Sequence, residues 1–284
     1  MQILREELEK MGFPCDKIMI LQDKDGVTVT RVAAGQESYV LKHFAKAEYR
    51  REIENYRVLA SLGVPTLRVI ACTDSAFLME DMNASPVLRP AVEADMSDVH
   101  VAERLAAWYR KLHGVGCSYV QQHGAAMYDE SDLFTRENIA FVRQKTGTQA
   151  APAWRLLEEN FHTIAALLSA APRTLTYNDF YYTNMAVARD GSFALMFDYN
   201  LLGKGYAYAD LRNVTASLSA EAGAAFMEAY GSFDPAEKAL DDVMNLVTGL
   251  VQACRRERFP AWARGMVDEI DTTFAAKIER LLNT

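Results

Sequence analysis

Hydrophobic positions repeat with a period of about two over the first third of the chain and about 3.6 beyond it. Three β-type runs, Ile18–Leu21, Val27–Val32 and Ser38–Phe44, read as strands, with Asp25-Gly26 and Ala34-Gly35 as the turns between them. A short amphipathic helix over 3–11 precedes them. A second helix over 46–62 follows, stopped by Gly63 and Pro65. Two further strands, Thr66–Cys72 and Ala76–Glu80, complete this part. The stretch Asn83-Ala-Ser-Pro-Val-Leu-Arg-Pro90 has the turn formers of a linker. After it the pattern predicts helices over about 97–112, 131–145, 152–170, 219–230, 235–257 and 261–282, interrupted by one β segment at 185–197. Gly114, behind His113, reads as the stop of the first of these. The expected plan is α+β: a strand-rich lobe at 1–82 and a larger, mainly helical lobe at 83–284, with a cleft between them.

Composition narrows the function classes. The 284 residues are 50% hydrophobic and 24% charged, with a net charge of -8. That is an ordinary globular balance, enough for one large domain or two coupled ones. A nucleic-acid partner is not expected, because phosphate contacts need a basic excess. Arg255, Arg256 and Arg258 lie close to Glu257, Asp268, Glu269 and Asp271 and read as a solvated helix face. The acidic balance suits a cationic substrate, and equally suits plain solubility. Cys15, Cys72, Cys117 and Cys254 show no C-x-x-C spacing and read as reduced thiols. Arg5, Glu6, Glu7, Glu9 and Lys10 do not fit a signal peptide, and no long apolar run fits a membrane span. A cytoplasmic monomer or homodimer is expected.

The segment 185–197 brings the chemistry into view. Asp190-Gly191 between Met185-Ala-Val-Ala and Phe193-Ala-Leu-Met-Phe is a strong hairpin signal. A two-residue loop there pairs Arg189 with Ser192, which sets Asn184 opposite Phe197 and Thr183 opposite Asp198. Asn184 and Asp198 then converge at the open end of the hairpin, at a spacing that suits Mg²⁺ bridging phosphate oxygens. Asp179, five residues before Asn184, is placed to orient or deprotonate an attacking hydroxyl. In Val40-Leu-Lys-His-Phe44, Lys42 shares a face with Val40 and Phe44, and an inward lysine needs an anion. Glu52 lies in the stripe Tyr49, Ile53, Tyr56, Leu59 of the following helix; Glu48 is a second candidate. A Lys42–Glu52 pair would hold the lysine against the α- and β-phosphates of ATP.

These strings together resemble the aminoglycoside phosphotransferase and choline kinase superfamily, a branch of the protein-kinase-like fold. The resemblance runs through Tyr39-Val-Leu-Lys42, Arg51-Glu52, Gly63-Val-Pro65, Phe77-Leu-Met-Glu-Asp81, Leu112-His113, Tyr177-Asn-Asp-Phe-Tyr-Tyr-Thr-Asn184, Phe197-Asp198 and Ala209-Asp-Leu211. It implies a bilobal α+β fold with a small antiparallel sheet in the N-lobe. It implies ATP and Mg²⁺ as cofactors, with GTP not excluded. Lys42 and Glu52 would serve the ATP phosphates, and backbone groups at Glu80 and Met82 would bind the adenine. Asp179 would be the catalytic base or orienter, Asn184 and Asp198 the Mg²⁺ ligands, and Asp210 a brace of the catalytic loop. Tyr177 stands where the family usually has histidine, and the phosphate loop, residues 22–27, has one glycine.

The family places its substrate beside the catalytic loop and against C-terminal helices. Tyr182, Tyr206 and Trp262 are therefore candidate contacts, as an aromatic cage for a quaternary ammonium. Glu257 is a candidate grip on an amino sugar. The resemblance implies transfer of the γ-phosphoryl group to a hydroxyl of a small molecule, aminoglycoside-like. The alternatives are a choline or ethanolamine kinase and a nucleotide-binding pseudokinase.

Overall fold

The computed structural model describes residues 1–284. In chain order it contains α1 (Gln2–Lys10), β1 (Lys17–Lys24), β2 (Val27–Ala34), β3 (Glu37–Phe44), α2 (Arg51–Ser61), β4 (Val69–Cys72), β5 (Ala76–Glu80) and β6 (Leu88–Pro90). Next come α3 (Val99–His123), β7 (Tyr128–Asp129), α4 (Arg136–Thr146), α5 (Pro152–Glu159), α6 (Phe161–Ala170) and β8 (Thr174–Thr176). Then follow β9 (Met185–Ala188), β10 (Ala194–Met196), β11 (Gly203–Gly205), α7 (Ala207–Thr215), α8 (Ala220–Tyr230), α9 (Pro235–Cys254), α10 (Arg264–Thr272) and α11 (Phe274–Leu282). The chain divides into two compact units. One comprises Met1–Val115, Tyr177–Leu202 and Asn213–Gly231; the other Gly116–Thr176, Gly203–Arg212 and Ser232–Thr284. No helix is long and apolar enough to cross a membrane.

The first unit is built on an antiparallel sheet of order β1-β2-β3-β5-β4. Asp25 (φ 56) and Gly26 (φ 89) make the tight β1–β2 turn, with Lys24 facing Val27. Asp23 and Asp25 are exposed there, and Asp23 accepts from the Thr28 hydroxyl at 3.1 Å. Helix α1 lays Leu4 and Leu8 over Val32, Leu41 and Leu78 on one sheet face. Strand alternation puts Lys42 on the other face. The helix expected from 46 begins at Arg51; Tyr49 belongs to a 3-10 turn, and the buried stripe comprises Glu52, Ile53, Asn55, Tyr56, Val58 and Leu59. The segment read as a linker contains β6, the edge strand of a second sheet of order β10-β9-β6. An edge position tolerates Pro90, which has no N–H to donate.

In the second unit a small sheet, β7-β11-β8, accompanies a helical core around Trp154, Leu157, Val243, Leu246, Phe274 and Ile278. The single helix expected over 152–170 breaks at Asn160, whose side-chain amide donates back to the Leu156 carbonyl at 2.9 Å. The one expected over 261–282 breaks at Thr273.

The expected stop at Gly114 is overturned, because α3 runs on to His123. The reason shows at Gly116. A Cβ there would lie 2.5 Å from the Leu175 backbone nitrogen and 2.6 Å from the Thr174 hydroxyl. The glycine serves close approach of α3 to β8, rather than capping. Gly116→Ala is therefore expected to destabilise the protein by roughly 1–3 kcal/mol, read as a lowered denaturation midpoint. Gly114→Ala, with open space at its Cβ position, is the control.

Candidate active site

Lys42 is buried on β3, and α2 turns the buried Glu52 toward it. Lys42 Nζ lies 2.9 Å from Glu52 Oε1 and 2.7 Å from Oε2. It also lies 2.9 Å from Asp198 Oδ1, so one ammonium faces two carboxylates. Burial pushes the ammonium down, but the combined pull of Glu52 and Asp198 outweighs it and leaves Lys42 above its ordinary value. Burial pushes Glu52 up to about 7, opposed by Lys42 and reinforced by Asp198. Two further α2 side chains hold the segment just after Asp198. Asn55 donates to the Tyr199 carbonyl at 2.7 Å, and Arg51 Nε donates to Asn200 Oδ1 at 3.2 Å.

The hairpin keeps the predicted register. Val187 faces Ala194 and Met185 faces Met196, and the Phe197 amide donates to the Asn184 carbonyl at 2.9 Å. The turn is wider than expected. Arg189 and Asp190 keep negative φ, while Gly191 takes φ 74 and donates to the Ala188 carbonyl at 2.9 Å. Asp190 spends its carboxylate on the Ser192 amide and hydroxyl at 3.0 and 2.6 Å. The open end of the hairpin is undisturbed by this change.

At that end Asp198 adopts φ 64 and Asn178 φ 65, left-handed conformations that aspartate and asparagine enter more readily than other non-glycine residues. Asn178 is tied by its side-chain amide to the Leu201 carbonyl at 3.0 Å. The Tyr177 hydroxyl donates to the Phe197 carbonyl at 2.5 Å, one residue before Asp198. Tyr177, Trp108 and Tyr199 pack with centroids 6.0–6.4 Å apart, and Tyr199 meets Tyr56 of α2 at 4.6 Å. Tyr177→Phe removes that hydroxyl and is expected to lower stability by about 1–2 kcal/mol, measured by denaturant titration.

Asp179 is three residues into the same loop. Burial pushes its carboxyl up to about 6; the Asp198 charge adds to this and Lys42 opposes it. The Asn184 amide nitrogen sits 3.3 Å from the Asp179 carbonyl and 3.4 Å from its carboxylate. With its nitrogen turned to Asp179, the Asn184 amide keeps its oxygen as an available donor. The donors at hand are carboxylate and amide oxygens around a cluster richer in negative than positive side chains. That set fits a hard divalent cation such as Mg²⁺, which binds through one or two carboxylates and keeps places for water and phosphate oxygens.

Lys42, Glu52, Asp179, Asn184, Asp198 and Tyr177 thus come together within the first unit. Glu80 ends β5, and its side chain accepts from the Arg68 amide at 2.8 Å. Met82 follows, held by Asp81, a brace that sequence reading did not single out. Buried Asp81 accepts from Arg31 Nε and the Ser38 hydroxyl, both at 2.7 Å, and from the Asn83 amide at 3.0 Å. Tyr182 is partly exposed in the segment between Asp179 and Asn184.

Asp210, Tyr206, Glu257 and Trp262 belong to the second unit. Asp210 is buried on α7. Tyr206 is corrected as a substrate contact. It is 1% exposed, its hydroxyl donates to the Leu168 carbonyl at 2.8 Å, and the Arg173 guanidinium covers its ring at 4.0 Å. Trp262 is exposed, with Arg256 over its ring at 5.9 Å, and Glu257 is exposed beside them.

Sequence comparison and structural comparison point the same way. No curated protein matches the chain by sequence. Among solved structures, an ADP-bound aminoglycoside phosphotransferase aligns with TM-score 0.65 at 17% identity, covering 98% of each chain. The choline kinase LicA from Streptococcus pneumoniae aligns with TM-score 0.63 at 12% identity, covering 97% of this chain and 98% of that one. A macrolide 2'-phosphotransferase from Brachybacterium faecium aligns with TM-score 0.60 at 17% identity, covering 96% and 99%. At such identities the likeness establishes the protein-kinase-like fold. The phosphotransferase enzyme family profile matches residues 20–241. With that match across most of its length, this chain belongs to the phosphotransferase enzyme family.

Proposed function

We propose that the protein transfers the γ-phosphoryl group of ATP to a hydroxyl of a small molecule. The observation that carries this reading is the gathering of Asp179, Asn184 and Asp198 around Lys42. Lys42 would neutralise the nucleotide phosphates, with Glu52 fixing its ammonium. Asn184 and Asp198 would hold Mg²⁺. When bound, the ion neutralises charge between the phosphates. Asp179, with its carboxyl pushed up to about 6, orients the acceptor hydroxyl and accepts its proton. Backbone groups at Glu80 and Met82, held by Asp81, would receive the adenine. GTP stands as the alternative nucleotide.

The solved relatives act on choline, macrolides and aminoglycosides. An amino-sugar acceptor is the first reading here and choline or ethanolamine the second. The experiment is ADP release from Mg-ATP with a panel of aminoglycosides, macrolides, choline, ethanolamine and simple sugars. Acceptor-dependent release in one class supports the assignment and names the class. Thermal stabilisation by nucleotide with no turnover on any acceptor would sink it.

A further inference from the structure

Apart from the cluster around Lys42, the first unit contains a cavity of about 310 Å³ between α2 and the β4–β5 edge of the sheet. Ile53, Tyr56 and Ala60 of α2 form one wall; Leu67, Val69 and Phe77 form the other. Its volume lies at the lower end of small-molecule sites, and apolar cavities of smaller size already take up apolar ligands.

The charged side chains that line it are both cationic, with the carboxylates of Glu54 and Glu80 outside the lining. No lining side chain is a carboxylate, while Arg57 and Arg68 stand at the rim. Arg57 is positioned for this role. Its Nη1 reaches Glu54 at 3.2 Å and its Nη2 reaches Cys72 Sγ at 3.1 Å, so the guanidinium spans from α2 to β4. Arg68 is exposed on the segment leading into β4. In a chain of net charge -8, a cation-rimmed apolar pocket is a local exception to the surrounding field.

We propose that this cavity is a second ligand site, for a small molecule with an apolar body and one anionic group: a medium-chain or aromatic carboxylate. The body fills the space against Tyr56 and Phe77, and the carboxylate meets the guanidinium groups at the rim. Occupancy bears on α2. Tyr56 packs on Phe77 at 4.9 Å and on Tyr199 at 4.6 Å, and Tyr199 follows Asp198. The same helix carries Glu52. The site is therefore coupled to nucleotide binding; this coupling, but not the binding itself, rests on the function proposed above.

Octanoate is the probe, titrated calorimetrically into the full-length protein, with octanol as its neutral counterpart. Octanoate is expected to bind, and octanol at least about tenfold more weakly. Two variants separate the causes without touching the residues around Asp179. Arg57→Gln/Arg68→Gln removes the charge at exposed positions, and Ala60→Trp fills the cavity from an exposed helix position. Each is expected to weaken octanoate about tenfold or more while leaving the unfolding transition intact. Absence of octanoate binding, or binding indifferent to both variants, overturns the site. Equal binding of octanol overturns the anionic assignment. An octanoate affinity unchanged by saturating Mg-ATP overturns the coupling, since linkage is reciprocal.

Discussion

Replacing Asp179 by Asn is expected to reduce acceptor-dependent ADP release about a hundred- to ten-thousandfold, the range for loss of a positioned general base. The same change is expected to stabilise the free protein. Asp179 ionises in a partly buried place beside Asp198, which is why its carboxyl sits at about 6. Its folded value lies above the unfolded value of about 3.9. Such a group favours the folded state below the unfolded value, and that contribution is lost as pH rises through about 6. At neutral pH the ionised aspartate is thus a liability on the order of 1–2 kcal/mol, once solvent screening of a partly exposed carboxyl is allowed for. Asparagine removes it at nearly constant shape. The stability gain should grow between about pH 4 and pH 6 and level off above that. Thermal unfolding across pH, run beside the ADP assay, checks both halves. A variant that loses turnover and is also less stable above pH 6 would mean that Asp179 is structural.

The hairpin register was legible because it was read from a loop centred on Asp190-Gly191, and the wider turn that closes between Ala188 and Phe193 has the same centre. Hence Asn184 faces Phe197 even though the Asp190-Gly191 turn is of another type. The Lys42–Glu52 pair was legible for a similar reason: a charged residue inside an apolar stripe has to find its opposite. Asn55 carried the same kind of signal, a polar side chain in the buried face of α2, and was passed over because it bears no charge. Asp81 was quoted only as part of a strand ending; its partners Arg31 and Ser38 are some 40–50 residues away, a distance no local pattern reports.

The misreadings have a common cause. Gly114 looks like a helix stop, yet α3 continues to His123, and Gly116 within it answers to a neighbouring strand. Tyr206, an aromatic near the loop in sequence, is held in the core by Leu168 and Arg173. Local propensity does not report tertiary demands of this sort. The left-handed Asp198 and Asn178 are similar: nothing in their neighbours' identity announces positive φ.

Lys42→Met is expected to lower phosphoryl transfer at least about a hundredfold, as removal of a fixed positive group from a charge-developing site does. Its effect on stability should depend on pH in a way that identifies the cause. Without the ammonium, Glu52 remains fully buried and Asp198 loses its 2.9 Å partner. Breaking a buried pair costs about 3–5 kcal/mol when the remaining charge stays ionised. Glu52 already sits at about 7 with Lys42 in place, so loss of the cation drives it further up. Protonated, it needs no partner. The destabilisation should therefore be small in acid and grow as pH rises past 7, approaching the full range only where Glu52 must ionise. Adding Glu52→Gln to Lys42→Met removes the orphaned carboxylate. The double variant should regain much of the lost stability at high pH without regaining turnover. Recovery of stability alone shows that Glu52 holds the lysine and that the lysine serves the phosphates. If turnover returned along with stability, Lys42 would be a support for α2 and the phosphates would have to be met by another cation.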